Sequence, residues 1–203
     1  MLTFYHSPKS RSSAVAVLID EMGIADRIDM RIVAIPRQDG SGRRDPANPH
    51  PEGKVPALDH DGHLITERGA IMVQLTTLFP EAGLAPPVGT PDWGSYLSWM
   101  VWYQGVLEPV MILDWAKIGH PALTATFRGL PEAVARIGAA LAKGPWLLGE
   151  HFSAADLLVH SPFAFFPEMV PDDPQIRDWV ARCRARPSIA RVAEADTARM
   201  AAL

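Results

Sequence analysis

Cysteine is almost missing from this chain: Cys183 is the only one in 203 residues. That excludes a disulfide framework, a CxxC redox pair and a cysteine-based metal site. Long apolar runs are missing too, since none approaches the roughly 18 residues a membrane span needs. No leader-like segment precedes the strand-like Leu2-Thr3-Phe4-Tyr5, so a cytoplasmic protein with no membrane partner is expected. Positive charge is not in excess: the net charge is −4 and the pI near 5.9. Arg43-Arg44 lies in a Gly/Ser/Asp/Pro loop, and Arg182, Arg184 and Arg186 read as the exposed side of a helix. A nucleic-acid partner is therefore not expected. The histidines (6, 50, 60, 63, 120, 151 and 160) show no HExxH-like pairing, so no metal is expected. No internal repeat is visible.

What remains is an ordinary globular composition, 48% hydrophobic and 21% charged, long enough for one large domain or two small ones. Residues 2–6 read as a buried strand. Val15, Leu18, Ile19 and Met22 give a helix from Ser10 or Ser12 to Met22, ended by Gly23. Residues 28–35 read as a second strand, and 36–51 as an irregular loop. Two short runs flank Asp61-Gly62, a hairpin signal. The helix after them is expected to be capped by Thr66, to bury Ile71, Leu75 and Leu78, and to stop at Pro80. Pro56 opens a strand and so belongs at an edge or in a special bond.

Residues 83–91 are a linker by composition. Beyond it every periodic stretch is helical. One helix, capped by Asp92, carries Tyr96, Trp99, Trp102 and Tyr103 and is disturbed near Gly105 and Pro109. A second helical region runs from Pro121 to about Lys143. Ser153 and Asp156 form a capping box before Leu157, with Phe152 placed to staple onto Leu157. Two more helices follow, around 174–185 and 188–199. The expected architecture is an α/β unit over 1–82, a linker over 83–91 and an all-α domain over 92–203.

Several motifs in order carry a resemblance. They are Tyr5-His6-Ser7-Pro8-Lys9-Ser10-Arg11-Ser12-Ser13, His50-Pro51-Glu52-Gly53-Lys54-Val55-Pro56-Ala57-Leu58, Thr66-Glu67-Arg68-Gly69-Ala70-Ile71, the stretch from Trp146 to Asp156, and Arg184-Ala185-Arg186-Pro187. Together they resemble the bacterial members of the glutathione transferase superfamily, over essentially the whole chain. The resemblance implies a thioredoxin-like first domain, a helical second domain, a cytoplasmic homodimer and a glutathione site in each subunit.

It also implies roles. A cis Val55-Pro56 bond would leave the Val55 backbone to pair with the cysteinyl unit of glutathione. Glu67 would meet the γ-glutamyl ammonium. Arg68 stands where the superfamily usually has Ser or Thr, and would meet the γ-glutamyl carboxylate. Lys54 or Arg37 would meet the glycine carboxylate, and Arg11 stands about where some bacterial members carry a cysteine. Thiol activation calls for a hydroxyl near the start of the first helix, because the thiolate is the reactive form. Ser10 is the first choice, Ser12 and Ser7 are alternatives, and Tyr5 falls where tyrosine-type members carry their phenol. Trp99, Trp102 and Tyr103 offer an aromatic wall for a hydrophobic electrophile. The implied activity is addition of the glutathione thiolate to that electrophile. Glutathione-dependent reduction or isomerisation, or a non-catalytic binding module, are the alternatives.

Overall fold

The computed structural model describes residues 1–201. The chain divides into two compact units, Met1–Ala82 with Ala185–Leu203, and Gly83–Arg184.

The first unit holds a four-stranded mixed sheet of β1 (Leu2–His6), β2 (Asp29–Ile32), β3 (Ala57–His60) and β4 (His63–Thr66), in the order β2-β1-β3-β4. β1 pairs parallel to β2 and antiparallel to β3, and β3 runs antiparallel to β4. The hairpin turn sits where expected. Asp61 and Gly62 have φ of 52° and 86°, the two positive values of the tight turn that matches strand twist. β2 is shorter than the expected 28–35. The Ala34 N–H leaves the ladder for Asp45 Oδ2 at 3.0 Å, and Pro36 follows.

Three helices belong to this unit: α1 (Ser13–Glu21), α2 (Arg68–Leu78) and, from the far end of the chain, α9 (Pro187–Ala201). Ala14 to Ile19 of α1 are all buried, as are Ile71, Met72 and Leu75 of α2 and Phe4 and Leu58 of the sheet. Each large apolar side chain so covered contributes about 1.5–3 kcal/mol. Leu78 is exposed, so the core face of α2 runs through Ile71, Met72, Leu75 and Thr76. The α2 N-cap is Glu67, one residue past the expected Thr66, which is the last residue of β4.

α9 was expected with the helical region; its contacts are with the sheet unit. Polar clasps fasten it along α1. Arg191 pairs with Asp20, and Arg186 and Ser188 both bond Glu21. Asp196 closes the other end, as described below.

The second unit is all helix: α3 (Pro91–Trp102), α4 (Glu108–Trp115), α5 (Pro121–Phe127), α6 (Leu130–Leu141), α7 (Ala154–Phe165) and α8 (Pro174–Arg184). Its buried side chains include Tyr96, Met100, Tyr103, Leu107, Ile137, Leu158, Phe163 and Trp179. Thr90, not Asp92, caps α3 and accepts the Trp93 N–H, with Pro91 at the first helical position. The disturbance expected near Gly105 is a wide π turn over Tyr103–Leu107. Pro109 can give no N–H to Gly105, so the helix widens there. The region 121–143 is two helices. Arg128 has φ 67°, and Pro131 is the second residue of α6, in the first turn where its missing N–H costs nothing. The capping box is formed: the Ser153 N–H donates to Asp156 Oδ2 at 3.0 Å.

Candidate active site

The ends of β1, α1 and α9 meet around one buried carboxylate. Asp196 Oδ1 accepts from His6 Nε2 at 2.8 Å, and Arg199 Nη1 lies 3.5 Å away. Its Oδ2 accepts from the Lys9 N–H at 2.9 Å and from Ser13 Oγ at 2.6 Å. Burial works to raise this carboxyl. The hydrogen bonds from His6, Ser13 and the Lys9 N–H outweigh it and hold the group down at about 2. Asp196 is therefore ionised, and His6 Nε2 carries a proton to give it.

On its other side, His6 Nδ1 lies 2.7 Å from Ser12 Oγ. Ser12 is fully buried. Its hydroxyl takes the Ser7 N–H at 3.1 Å and reaches Ser10 Oγ at 2.8 Å. Ser12 occupies the N-cap position of α1, yet its hydroxyl makes no cap bond, because the His6–Ser7 corner holds it. Ser10, the first choice for the cap, lies two residues earlier. Its hydroxyl accepts the Ser12 N–H at 3.2 Å and donates to the Ser7 carbonyl at 2.7 Å. Of Ser7, Ser10 and Ser12, only Ser10 is partly exposed. Tyr5 alternates with His6 along β1, so its side chain leaves from the opposite face of the sheet. The serine hydroxyls are gathered; the phenol is directed elsewhere.

The loop before β3 forms a second corner. The Val55-Pro56 bond is cis, and Val55 is 7% exposed. Among the described residues, neither the N–H nor the C=O of Val55 has a hydrogen-bond partner. Buried backbone groups are nearly always paired. The preceding turn is braced by two buried side chains: Asn48 Nδ2 donates to the Lys54 carbonyl at 3.0 Å, and His50 Nδ1 takes the Glu52 N–H at 3.1 Å. Gly53 has φ 65°, and a Cβ there would come within 3.1 Å of the Arg44 side chain, so glycine suits the position on both counts.

Glu67 follows β4 with φ 69° and ψ 128°, a conformation that costs a non-glycine residue about 1–3 kcal/mol and marks functional sites. It is exposed, at the N-terminus of α2, where the first N–H groups favour an anion. Arg68 is 4% exposed, a buried residue in the first turn of α2. Lys54 is exposed, and its ammonium is held above its usual value by a hydrogen bond and charge from Glu52, with a smaller push from Glu67 opposed by the Arg11 cation. Lys54, Glu67 and Arg11 therefore share one electrostatic neighbourhood. The Arg37 guanidinium donates to the Pro8 carbonyl at 2.9 Å through one of its nitrogens.

The aromatic residues expected against a second substrate are buried in the helical unit. Trp99 and Trp102 meet edge to face at 5.3 Å, and Arg136 stands 4.9 and 4.6 Å from their ring centres. Tyr103 is 1% exposed. Among the described residues, no group of three or more His, Cys, Asp or Glu side chains could hold a metal ion, and no helix is long and apolar enough to cross a membrane.

No protein-family model matches the chain. The structure of a glutathione transferase from Methylococcus capsulatus superposes with a TM-score of 0.76 and 26% identity, covering 97% of this chain and 99% of that one. The chain has the fold of the glutathione transferases. Two curated proteins are similar in sequence. Protein LigF of a Sphingobium species is 29% identical over 71% of this chain and 75% of its own. The disulfide-bond oxidoreductase YfcG of Escherichia coli is 24% identical over 93% and 92%.

Within this fold, Ser10, Val55, Pro56, Glu67, Lys54 and Arg11 all lie in or beside the two corners described. His6, Ser13, Asn48, His50 and Asp196 were missed as site residues. His6 stood among seven scattered histidines, and Asp196 lies 190 positions from it with no local signal. Asn48 and His50 are the exception, since polar residues just before Val55-Pro56 could have been read as a turn brace.

Proposed function

We propose that the protein binds glutathione in the sheet unit and adds its thiolate to a hydrophobic electrophile, acting as a cytoplasmic homodimer. One observation carries the reading: the buried, unpartnered backbone of Val55 beside a cis proline, next to a carboxylate at the N-terminus of α2. Val55 N–H and C=O match the backbone of a cysteinyl residue laid alongside like a strand. Glu67 supplies the anion for the γ-glutamyl ammonium, and Lys54 and Arg11 supply cations for a carboxylate. Ser10 provides a partly exposed hydroxyl, whose hydrogen bond favours the thiolate. Calorimetry with glutathione, followed by a panel of aryl halides, enones and epoxides, tests this. Binding in the micromolar to millimolar range with conjugation supports it; no binding overturns it. Binding without turnover favours a transferase-like binding module.

Glutathione-dependent reduction is the second reading, motivated by the similarity to a disulfide-bond oxidoreductase. Cys183 is fully buried in the helical unit, so any such reaction uses direct exchange between glutathione and substrate. Comparing disulfide reduction with conjugation rates separates the two.

A further inference from the structure

The Ser10–Ser12–His6–Asp196 chain does more than hold the start of α1. A purely structural contact would need one acceptor for the Ser7 N–H and one tie to α9. Here an imidazole is inserted between a buried serine and a buried carboxylate, with a second, partly exposed serine on the outside. The Ser12 Oγ to His6 Nδ1 distance is 2.7 Å and the Ser12 Oγ to Ser10 Oγ distance 2.8 Å. Both are strong hydrogen-bond lengths. Ser12 is 0% exposed, which bars it from attacking a substrate as a hydrolase serine would. It can only pass on what Ser10 meets.

The geometry points to a proton relay in which His6 receives the thiol proton of glutathione through Ser10 and Ser12, with Asp196 as the positioning residue for His6. This rests on the glutathione reading above. With Asp196 ionised and Nε2–H donated to it, neutral His6 presents a lone pair at Nδ1 to the Ser12 O–H. The bound thiol donates to Ser10 Oγ; for the transfer the Ser10 O–H turns from the Ser7 carbonyl to Ser12 Oγ, and Ser12 donates to Nδ1. In the transfer the S–H bond breaks, each hydroxyl takes one proton and gives up its own, and an N–H bond forms at Nδ1. Every hydroxyl then points outward, so Ser10 donates to the thiolate and Ser12 to Ser10. The imidazolium is held by the Asp196 carboxylate, as an orienting aspartate holds a histidine elsewhere. The charged side chains that touch this cluster are Asp196 and Arg199 of α9 and Arg37 of the loop after β2. When the thiolate is consumed, the proton returns along the same path to solvent or to the product.

The test reads His6 directly. In protein labelled with nitrogen-15 at histidine, glutathione should convert His6 from the neutral Nε2–H tautomer to the doubly protonated form. S-methylglutathione, which has no thiol proton, should not. Identical His6 signals with both ligands would overturn the relay. Failure of glutathione itself to bind would instead sink the glutathione reading, and the relay with it. In parallel, thiolate absorbance of bound glutathione is titrated in wild type, Ser12→Ala and Asp196→Asn. The expected result is a thiol pKa raised by about one unit in both variants, a tenfold fall in the thiolate-to-thiol ratio, with S-methylglutathione affinity within about twofold. Ser12→Thr, which keeps the hydroxyl, should restore the wild-type value. If the variants fold and bind but leave the thiol pKa unchanged, the chain only braces the helix.

Discussion

Each unit of the protein is organised around a buried aspartate, and the two carboxylates behave in opposite ways. Asp156 in the helical unit accepts the Leu147 N–H and Trp179 Nε1–H on one oxygen, both at 2.9 Å, and the Ser153 N–H and hydroxyl on the other, both at 3.0 Å. Asp196 in the sheet unit is hydrogen-bonded as fully. Yet burial pushes Asp156 up in spite of its hydrogen bonds, whereas Asp196 is held at about 2. The first difference is depth: desolvation wins at the more deeply enclosed Asp156 and loses to the hydrogen bonds at the shallower Asp196. The second lies in the donors. Those on Asp156 are backbone amides, an indole and a serine, none of which can take a charge. Those on Asp196 include an imidazole that can become a cation, with Arg199 close by. A carboxylate ringed by neutral donors is a joint. One facing a protonatable ring can stabilise a proton in transit.

Four outcomes break or sharpen that contrast. The largest is expected for Asp156→Ala, which strands the Leu147 N–H, the Trp179 indole and the Ser153 N–H in a dry interior. Urea unfolding should show a loss of about 3–5 kcal/mol, several unsatisfied groups at once, with no change in glutathione affinity for the fraction that folds. A loss under 1 kcal/mol would mean Asp156 is no joint.

Acid should then test the two units in different windows. His160 in the helical unit is pushed down to about 4, first by burial, and its unfolded value is near 6.5. A group lowered on folding contributes stability above its unfolded pKa and loses it as pH falls through the folded value. His160 therefore gives up about 3 kcal/mol between pH 6.5 and 4. Asp196, lowered from 3.8 to about 2, gives up about 2 kcal/mol between pH 4 and 2 by the same sign. Asp156, raised, acts in the reverse sense, opposing stability as pH rises through its folded value. Hydrogen exchange along an acid titration should show α7 and α8 loosening before α1 and α9. The reverse order would refute the assignment.

A smaller effect concerns ligand alone. Glu67→Gln keeps the shape but removes the charge offered to an ammonium, and should weaken glutathione about tenfold by calorimetry. An unchanged affinity would move the γ-glutamyl contact elsewhere. Smallest is Lys54→Ala. The Lys54–Glu52 pair is open to solvent on both sides, and its removal should leave the melting temperature unaltered. Glutathione affinity should fall only if Lys54 meets a carboxylate.

The two aspartates also show what can be read without coordinates. Asp156 reveals itself three residues from Ser153 and just ahead of an apolar run, a pattern that local hydrogen bonding dictates. The hairpin at Asp61-Gly62 was equally legible, because a two-residue turn with both φ positive admits few residues. The disturbance at Pro109 was half legible: the proline was visible, but whether it widens a helix or ends it depends on neighbouring backbone. The break before α6 was not legible at all, since 121–143 reads as one helical region. The Thr66 cap failed by one residue because the β4 ladder with Ala57 claimed that position. Leu78 failed because an apolar residue at helical spacing is buried only where a neighbour covers it.

By itself, then, the sequence determined the order of the strands, the turn chemistry, the capping box and the resemblance to the glutathione transferases. All of these depend on residues within a few positions of one another, or on motifs met in order. Only the tertiary structure decided that the last helix docks on the sheet unit. That docking brings Asp196 to His6 across 190 residues and joins Ser12 and Ser10 into one hydrogen-bonded chain. The physical reason is reach. Periodicity reports which face of α9 is apolar, but not which surface buries it, and a buried carboxylate finds its donors only after that choice is made.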